Sequence, residues 1–418
     1  MVLNNENEIN LKLTQILSYV NNEIDFYKGK ISQTLLAEKK GCEALLDVPV
    51  VDKAFIKAHH MSFISNDIKC NDIEQVFNIN KNFKQEYSFL IQGKKIYAEY
   101  TSGTTGTPFA VIKTPKERLI LGNYLWKIRR KIYPFFPNDF FYFTHNFSQN
   151  HSYDLSMKSL NGINTLNLEK YKAWHILPFQ LSVLSSHVRE DTIAFKNLKM
   201  IECNGAYISE EEKAEYANLF KCLVRNNYGC RECWNIAYDC EEGYLHVNDK
   251  TLWLEIIDDN GKRITEDEKI GNIVITSLVL KTMPIIRYQT GDYGSYIGGD
   301  CKCGLKSKRI RLLPGRNIIK GTTLYGNIVF RSVLMDLMLE CDMKRFDTIS
   351  VEQTELNMFV VNVKGNMENR VELEKHFTSC AQKHLRINNI KYIFTYDDSK
   401  NAKSIFTVKL KDENNSNF

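Results

Sequence analysis

The segment Thr101–Pro108, with the sequence Thr-Ser-Gly-Thr-Thr-Gly-Thr-Pro, places the strongest constraint on the fold of this chain. An extended segment, Phe109–Lys113, follows it, and Thr114, Pro115 and Glu117 then form the capping box of a helix. Together they predict a strand, a Gly/Thr loop, a second strand and a helix in succession. Helical and extended patterns alternate on both sides of this unit, which indicates an α/β class.

The composition is that of an ordinary globular protein, with 43% hydrophobic and 25% charged residues. At 418 residues the chain suits two or three domains. No run of uncharged apolar residues approaches the roughly 18 that a membrane-spanning helix needs. The N-terminal segment lacks the charged start and apolar run of a secretory signal, so we expect a cytoplasmic protein.

Charge and cysteine content narrow the partners further. The formal net charge of +5 comes from dispersed Lys and Arg residues, so we expect neither a nucleic-acid nor a membrane partner. A modest positive charge suits anionic small molecules such as nucleotides. The 11 cysteines are odd in number and scattered, which argues against a disulfide framework and for reduced thiols, some of them available to a metal.

The sequence pattern changes near Gly315 and predicts a second, smaller domain. Before this point, Glu8–Phe26 has apolar residues at helical spacing, and Ser209–Phe220 begins with a second capping box. After it, an α+β pattern comprises a hairpin of Thr348–Gln353 and Met358–Lys364, a helix at Val371–Leu385, and strands at Lys391–Thr395 and Ser404–Leu410. We therefore predict domains at residues 1–315 and 316–418.

The Gly/Thr loop has the chemistry of a phosphate-binding segment. Gly103 and Gly106 allow backbone conformations that point several N–H groups at one anion. The hydroxyl groups add donors and a contact for a metal, from Ser102, Thr104, Thr105 and Thr107. An isolated segment of this kind can also be a Thr-rich surface turn. The Gly-Lys-Ser/Thr of a Walker loop and the Gly-x-Gly-x-x-Gly of dinucleotide sites do not occur, so kinase-type and dehydrogenase functions lose support.

Further segments follow the loop in the order found in one enzyme superfamily. They are Tyr228-Gly229-Cys230-Arg231-Glu232, Arg287-Tyr288-Gln289-Thr290-Gly291-Asp292, the pair Gly315-Arg316, and a late lysine. With Tyr100–Pro108, they resemble the adenylate-forming superfamily of acyl-CoA synthetases, especially its phenylacetate–CoA ligase-like branch. The resemblance extends over nearly the whole chain. It implies a large N-terminal α/β domain with a mostly parallel sheet and a small, mobile α+β C-terminal domain.

The resemblance implies that particular residues bind ATP. Its phosphates would contact the loop residues Thr101, Ser102, Gly103, Thr104, Thr105 and Gly106, with Thr104 also assisting catalysis. Asp292 would accept hydrogen bonds from both ribose hydroxyls. Glu232 would assist catalysis by holding the Mg²⁺ that neutralises the triphosphate. Tyr228 and Gly229 would border the adenine, and Arg316 would reach the ribose.

The same resemblance implies a late catalytic lysine and a pocket for an acid. Lys403, in an Ala-Lys pair, matches the family's lysine, which contacts the carboxylate and the α-phosphate as charge develops. Lys400 lies close by and is the alternative. The resemblance implies a gating segment at Phe140–Ser148, in which Phe143 and His145 would border the carboxylic acid. His145 fits an ordinary packed histidine equally well.

Three departures from the family pattern bear on activity. Arg231 stands where a hydroxyl residue usually precedes the glutamate, and Phe109 stands where a lysine often ends the loop. No aspartate follows Gly315-Arg316 at the usual hinge distance. Adenylation is therefore better supported than rotation of the C-terminal domain between the two half-reactions.

Four residues predict a structural zinc site. Cys301 and Cys303 have the spacing of a zinc knuckle, and the glycine after them lets a backbone N–H approach sulfur. Cys240 and His246 complete a closed set of three thiolates and one imidazole, which is typical of structural rather than catalytic Zn²⁺. The ligase-like branch carries a similar set. The Cys-x-x-Cys pair at 230–233 flanks the magnesium ligand and is the competing set.

These features predict an AMP-forming acid–thiol ligase that uses ATP and Mg²⁺ to convert a carboxylic acid into an acyl-adenylate and pyrophosphate. The resemblance implies acyl transfer to coenzyme A and favours an aryl or arylacetic acid. One alternative is transfer to an amine or a carrier protein in a biosynthetic pathway. Another is a catalytically silent nucleotide-binding protein, as the changes at Arg231 and Phe109 suggest. The sequence identifies neither the acid nor the acceptor.

Overall fold

The computed structural model describes residues 2–77, 86–100, 110–143, 168–178, 180–181, 184–185, 195–205, 208–316, 348–355, 358–364, 370–385, 390–397 and 406–409. The chain folds into two compact units. The first is Met1–Pro178 with Ile193–Leu312, and the second is Phe179–Thr192 with Leu313–Phe418.

The first unit alternates helices and strands. Its helices are Val2–Glu23, Gln33–Ala37, Gly41–Ala44, Lys53–Ala58, Glu74–Phe77, Pro115–Ile132 and Glu210–Phe220. Short 3-10 helices lie at Leu45–Asp47, His60–Phe63, Asn71–Ile73, Pro137–Asp139 and Leu168–Lys170. Its strands are β1 (Glu86–Ile91), β2 (Lys94–Tyr100), β3 (Ala110–Lys113), β4 (Phe140–Tyr142), β5 (Ala173–Ile176), β6 (Met200–Asn204), β7 (Leu223–Cys230), β8 (Trp234–Asp239), β9 (Leu245–Val247), β10 (Leu252–Ile257), β11 (Arg263–Ile264), β12 (Gly271–Ser277), β13 (Tyr288–Ile297) and β14, which continues past the unit (Arg309–Arg316).

Both predicted capping boxes are present at helix N-termini. The Thr114 hydroxyl accepts a hydrogen bond from the Glu117 N–H, and the Glu117 carboxylate accepts one from the Thr114 N–H at 2.7 Å. Ser209 and Glu212 make the same reciprocal pair, at 3.1 and 2.8 Å. Each box satisfies backbone donors that the first helical turn leaves unpaired.

The helix Val2–Glu23 contributes one face to the main hydrophobic core. The buried residues of Val2–Glu23 recur every three or four positions: Ile9, Leu13, Ile16, Leu17 and Val20. This spacing lines one helical face, which the sequence pattern predicts, although the helix begins before Glu8 and ends at Glu23. Within the described ranges, each helix is too short or too polar to span a bilayer.

The larger sheet of the first unit contains eleven described strands, in the order β11-β10-β12-β13-β14-β9-β8-β7-β6-β5-β4. Strands β4 to β7 pair in parallel, and β7-β8, β8-β9, β9-β14, β10-β11, β10-β12 and β12-β13 pair antiparallel. The α/β class is confirmed, but the sheet is mixed rather than mostly parallel. Short connections such as residues 231–233 and 240–244 explain the difference, because only antiparallel neighbours can be joined so tightly.

The second unit is a small α+β structure, as predicted. It contains β15 (Thr348–Glu355), β16 (Met358–Lys364), the helix Arg370–Leu385, β17 (Lys391–Asp397) and β18 (Phe406–Lys409). Its sheet has the order β17-β16-β15-β18, with β15 and β16 antiparallel and each outer strand parallel to its neighbour. Its buried side chains include Val351, Phe359, Val361, Val363, Leu373 and Phe377.

Candidate active site

The predicted phosphate loop joins two paired strands. Strands β1, β2 and β3 form an antiparallel sheet, in which Tyr100 at the end of β2 pairs with Ala110 at the start of β3. The residues on either side of the segment 101–109, Tyr100 and Ala110, are therefore neighbours. Several predicted site residues lie outside the described part of the chain: Thr101, Ser102, Gly103, Thr104, Thr105, Gly106, His145, Lys400, Lys403 and the side chain of Arg316. Their roles stay predictions.

The carboxyl ends of the parallel strands meet at one edge of the large sheet. Phe143 follows the end of β4, Leu177 follows β5, Asn204 ends β6, and Tyr228 lies near the end of β7. In open α/β sheets, ligands bind outside this edge. The fold therefore places the predicted acid-pocket residue Phe143 and the predicted adenine-binding residue Tyr228 along the same edge.

Phe143 makes the contacts of a core residue. Its side chain is fully buried, and its backbone N–H donates to the His175 carbonyl at 2.9 Å. Its ring packs edge-on against Phe141 and Trp174, with centroid separations of 4.8 and 5.6 Å. These contacts account for its burial without a ligand, so its role in binding an acid stays a prediction.

Tyr228 and Asp292 are predicted from separate segments to bind nucleoside, and the fold brings them together. The Tyr228 hydroxyl on β7 donates to Asp292 Oδ2 on β13 at 2.9 Å, although 64 positions separate the two residues. The Asp292 N–H also donates to the Thr290 hydroxyl at 3.1 Å. Burial and the adjacent Asp292 carboxylate hold the pKa of Tyr228 well above its usual value, so its hydroxyl remains a donor.

Glu232, the predicted magnesium ligand, is held from β13. The residue is 5% exposed, and the Tyr288 hydroxyl donates to its Oε1 at 2.7 Å. Within the described ranges, no other hydrogen bond reaches this carboxylate. It therefore keeps capacity for a cation, and Mg²⁺ typically takes one or two carboxylates together with phosphate oxygens and water. Tyr288 was not predicted as a site residue, and its only signal was its place in the segment that contains Asp292.

The turn that carries Glu232 is unusually tight. At Gly229, a Cβ atom would overlap the carbonyl oxygen of Trp234. Trp234 itself adopts a positive φ of 63°, which non-glycine residues rarely do. The close approach of Trp234 therefore requires glycine at position 229 for steric reasons. The predicted contact of Gly229 with the nucleotide stays a prediction.

The four predicted zinc ligands lie close together. Cys240 follows the end of β8, His246 lies on β9, and Cys301 and Cys303 lie in the loop before β14. One donor atom from each of Cys240, His246, Cys301 and Cys303 lies within 4.8 Å of all the others. The sulfur atoms of Cys240 and Cys301 are 3.8 Å apart, and Cys303 Sγ is 3.4 Å from His246 Nε2. Tetrahedral Zn²⁺ with Zn–S bonds of about 2.3 Å requires ligand separations of roughly 3.8 Å. The spacing fits a metal site and is too long for a disulfide.

The surroundings of this cluster favour the metal-binding form of His246 but not that of Cys240. The Nδ1 atom of His246 lies 3.1 Å from the carbonyl oxygen of Ser307, which leaves Nε2 facing the thiols. Burial lowers the pKa of His246, favouring the neutral imidazole that binds metals. Burial raises the pKa of Cys240 to about 12, so its thiolate needs a neighbouring cation. The competing Cys-x-x-Cys pair is not part of the cluster.

No protein-family model matches the chain. Among curated proteins, the phenylacetate-coenzyme A ligase of Thermus thermophilus is 31% identical over 109 residues. The match covers 24% of this chain and 24% of that ligase, so the chain spans about a quarter of the length of this curated relative.

Among solved structures, the chain is similar to 2-hydroxyisobutyryl-CoA ligase in two states. The postadenylation state in complex with 2-HIB-AMP gives a TM-score of 0.61 at 17% identity, over 97% of this chain and 89% of that one. An open conformation in complex with 2-HIB-AMP and CoA gives 0.57 at 16% identity, over 97% and 91%. These likenesses confirm the predicted adenylate-forming ligase fold.

Proposed function

We propose that this chain, which has the fold of the adenylate-forming ligases, joins a carboxylic acid to coenzyme A through an acyl-adenylate. One observation carries the proposal. Tyr228 and Asp292, which the sequence assigned separately to ATP, are hydrogen-bonded to each other, and Tyr288, on the same strand as Asp292, holds the predicted magnesium ligand Glu232. Both pairs connect β13 to the segment formed by β7 and the turn after it.

In the proposed first half-reaction, a substrate carboxylate oxygen attacks the α-phosphorus of ATP, and the bond from this phosphorus to pyrophosphate breaks. Asp292 would hold the ribose by accepting hydrogen bonds from its hydroxyls, while Tyr228 orients this carboxylate and borders the adenine. Glu232 would hold Mg²⁺, which supplies positive charge against the triphosphate. The loop Thr101–Pro108 would contribute N–H and hydroxyl donors to the phosphates.

We propose residues 316–418 as the smaller domain, and two of its positions have proposed roles in the reaction. Arg316 would reach the ribose, and Lys403, or alternatively Lys400, would contact the carboxylate and the α-phosphate as charge develops. Phe143 and His145 would border the acid.

The acceptor and the acid are proposed from the relatives. Coenzyme A is favoured as acceptor because 2-hydroxyisobutyryl-CoA ligase, which shares the fold, was solved with CoA. An aryl or arylacetic acid is favoured because the matched curated relative is a phenylacetate-coenzyme A ligase. No aspartate follows Gly315-Arg316 at the usual hinge distance, so acyl transfer to an amine or a carrier protein is the alternative second step.

We also propose that Cys240, His246, Cys301 and Cys303 bind one structural Zn²⁺. The set supplies four protein ligands and leaves no position for substrate, which separates structural from catalytic zinc. The cluster connects the end of β8 and strand β9 with a loop that lies more than 50 residues further along the chain. Such a closed site would stabilise the first unit without taking part in the reaction.

Pyrophosphate release tests the proposed function. The purified protein is incubated with MgATP and a panel of aryl, arylacetic, fatty and amino acids, with and without coenzyme A. We expect pyrophosphate with at least one acid in the absence of coenzyme A, and a thioester only after coenzyme A is added. Glu232→Gln should lower pyrophosphate release by about 100-fold or more, because charge stabilisation by a metal ion contributes several kcal/mol. Glu43→Gln, at an exposed surface position, is the matched control.

The outcomes separate the alternatives. An adenylate that reacts with an amine or a carrier protein but not with coenzyme A would select the alternative acceptor. If no acid produced pyrophosphate above the level of Glu232→Gln, both ligase functions would be refuted, and nucleotide binding alone would remain.

A further inference from the structure

A buried ion pair joins the two strands that flank the Thr101–Pro108 loop. Lys113 Nζ on β3 donates to Glu99 Oε2 on β2 at 2.9 Å, and the two side chains are 0% and 1% exposed. Glu99 lies next to Tyr100, the last residue before the loop. Burial alone would raise the pKa of Glu99, but Lys113, Trp234 and Arg118 together outweigh this effect, and the pKa lies below its usual value.

Both members of this pair also bind the turn that carries Glu232. Lys113 Nζ donates to the Arg231 carbonyl oxygen at 2.8 Å. This carbonyl belongs to the peptide group that joins Arg231 to Glu232, so the ammonium is fixed one peptide away from the predicted magnesium ligand. The Trp234 indole N–H donates to Glu99 Oε2 at 2.8 Å, on the other side of the turn.

We propose that Glu99 and Lys113 are positioning residues, which set the Glu232 carboxylate at a fixed place relative to the strands flanking the phosphate loop. This inference rests on the proposed function. A buried ion pair adds little stability compared with a well-packed apolar pair, so its contribution here is geometric. The Lys113 ammonium divides its hydrogen bonds between β2 and the Glu232 turn, and an apolar side chain cannot do this.

The magnesium dependence of pyrophosphate release tests the proposal. In Lys113→Met, the Arg231 carbonyl loses the hydrogen bond from Lys113, so the turn loses its link to β3, while the hydrogen bond from Trp234 to Glu99 on β2 remains. Loss of such supporting contacts typically lowers metal affinity by about 10- to 100-fold. We therefore expect the half-saturating Mg²⁺ concentration to rise by about that factor, with a smaller change in the KM for the acid.

A double variant separates positioning from simple destabilisation. Lys113→Met alone leaves Arg118, whose Nε lies 3.4 Å from Glu99 Oε1, as the cation beside this buried carboxylate, and the loss of Lys113 destabilises the fold. Glu99→Gln/Lys113→Met removes both charges of the pair, and Arg118 keeps its ion pair with Glu86. We expect the double variant to fold and to keep the raised magnesium requirement, because the hydrogen bond from Lys113 to the Arg231 carbonyl is still missing. Wild-type magnesium dependence in the folded double variant would overturn the proposal.

A second buried pair provides the matched control. Lys213 and Asp239 lie 2.6 Å apart on the helix Glu210–Phe220 and on β8, and both side chains are buried. Lys213→Met/Asp239→Asn removes an equivalent pair with no hydrogen bond to the Glu232 turn, and the half-saturating Mg²⁺ concentration should not change. An equal shift in both double variants would also overturn the proposal.

Failure of the proposed function can be distinguished from failure of the positioning role. If the wild-type protein released no pyrophosphate with any acid, the ligase function would fall. The pair would then be judged by calorimetric titration with ATP at several Mg²⁺ concentrations. Weaker MgATP binding in Glu99→Gln/Lys113→Met than in the Lys213/Asp239 control would support it, and equal binding would refute it.

Discussion

At the scale of single residues, Glu202 on β6 places a charged group in the interior of the first unit. Its carboxylate is fully buried and accepts two hydrogen bonds from Arg129, at 2.6 and 2.8 Å. His175, Asn227 and Tyr238 donate to it as well, at 2.6, 3.1 and 2.6 Å. Each donor lies on a different element, so one carboxylate connects the helix Pro115–Ile132 to three neighbouring strands. Burial of this charge is tolerated because it is paired and fully hydrogen-bonded.

This carboxylate makes stability depend on pH in a defined direction. Burial would raise the pKa of Glu202, but Arg129 and His175 together outweigh this effect, and the pKa lies well below the ordinary 4.5. A carboxyl whose pKa is lower in the folded state stabilises the protein above the unfolded-state pKa, and this contribution is lost as the pH falls through the folded-state value. We expect the free energy of unfolding to fall with decreasing pH below about 4.5, the ordinary pKa.

The variant Glu202→Gln tests this expectation. At neutral pH it should lower the free energy of unfolding by about 3–5 kcal/mol, because Arg129 remains buried without its anion. The remaining pH dependence below about pH 4.5 should be weaker than in the wild type. Urea unfolding followed by tryptophan fluorescence measures both, since all 4 tryptophans lie in the first unit. Glu43→Gln, at the surface, is the control, and an equal loss of stability in it would contradict the assignment.

At the scale of elements, the two capping boxes differ in what their glutamates bind. The Glu212 carboxylate serves its own helix through the Ser209 N–H. The Glu117 carboxylate also accepts hydrogen bonds from the N–H groups of Lys281 and Thr282, at 2.6 and 2.8 Å, and from the Thr282 hydroxyl at 2.8 Å. Glu117 therefore fixes the start of the helix Pro115–Ile132 to the segment between β12 and β13.

This difference predicts unequal effects of the same substitution. Glu117→Gln places an amide donor where an oxygen now faces backbone N–H groups, and each buried donor left unpaired costs about 1–3 kcal/mol. Glu212→Gln alters one box near the surface and should cost about 1 kcal/mol or less. Urea denaturation of the two variants compares them directly. Equal destabilisation would mean that the contacts of Glu117 with Lys281 and Thr282 contribute nothing to stability.

At the scale of the whole molecule, local sequence patterns predicted the positions of helices and strands better than they predicted the order of the strands in the large sheet. The helix expected at Val371–Leu385 is Arg370–Leu385, and the capping box at Thr114 is present, because helical spacing and caps are encoded within a few residues. The mixed order of the large sheet was not predicted, because it depends on pairings such as β9 with β14, which are distant in sequence.

The same limit applies to the candidate site. Tyr228 and Glu232 were predicted from one short segment and Asp292 from another, and their roles stay predictions. Their supporting contacts were not found: 56 positions separate Tyr288 from Glu232, and 118 separate Lys113 from Arg231. Nothing in the local sequence around Lys113 distinguishes a buried positioning lysine from a surface lysine.

The cluster of Cys240, His246, Cys301 and Cys303 is an exception, since its members were predicted although 61 positions separate Cys240 from Cys301. Thiolate and imidazole ligands are chemically distinctive enough to be recognised at a distance. We expect the purified protein to contain about one equivalent of zinc, and Cys301→Ser to lose it, since a closed tetrahedral site needs all four ligands. Elemental analysis measures the metal, and thermal unfolding should show a lower midpoint for the variant.

Two further cysteine variants make this measurement decisive. Cys70→Ser removes a half-buried thiol outside the cluster, and this variant protein should retain about one equivalent of zinc. Cys233→Ser removes one thiol of the competing Cys-x-x-Cys pair and should retain it as well. Loss of zinc in Cys233→Ser but not in Cys301→Ser would move the metal to that pair, beside Glu232, and would contradict the proposed separation of structural zinc from the magnesium ligand.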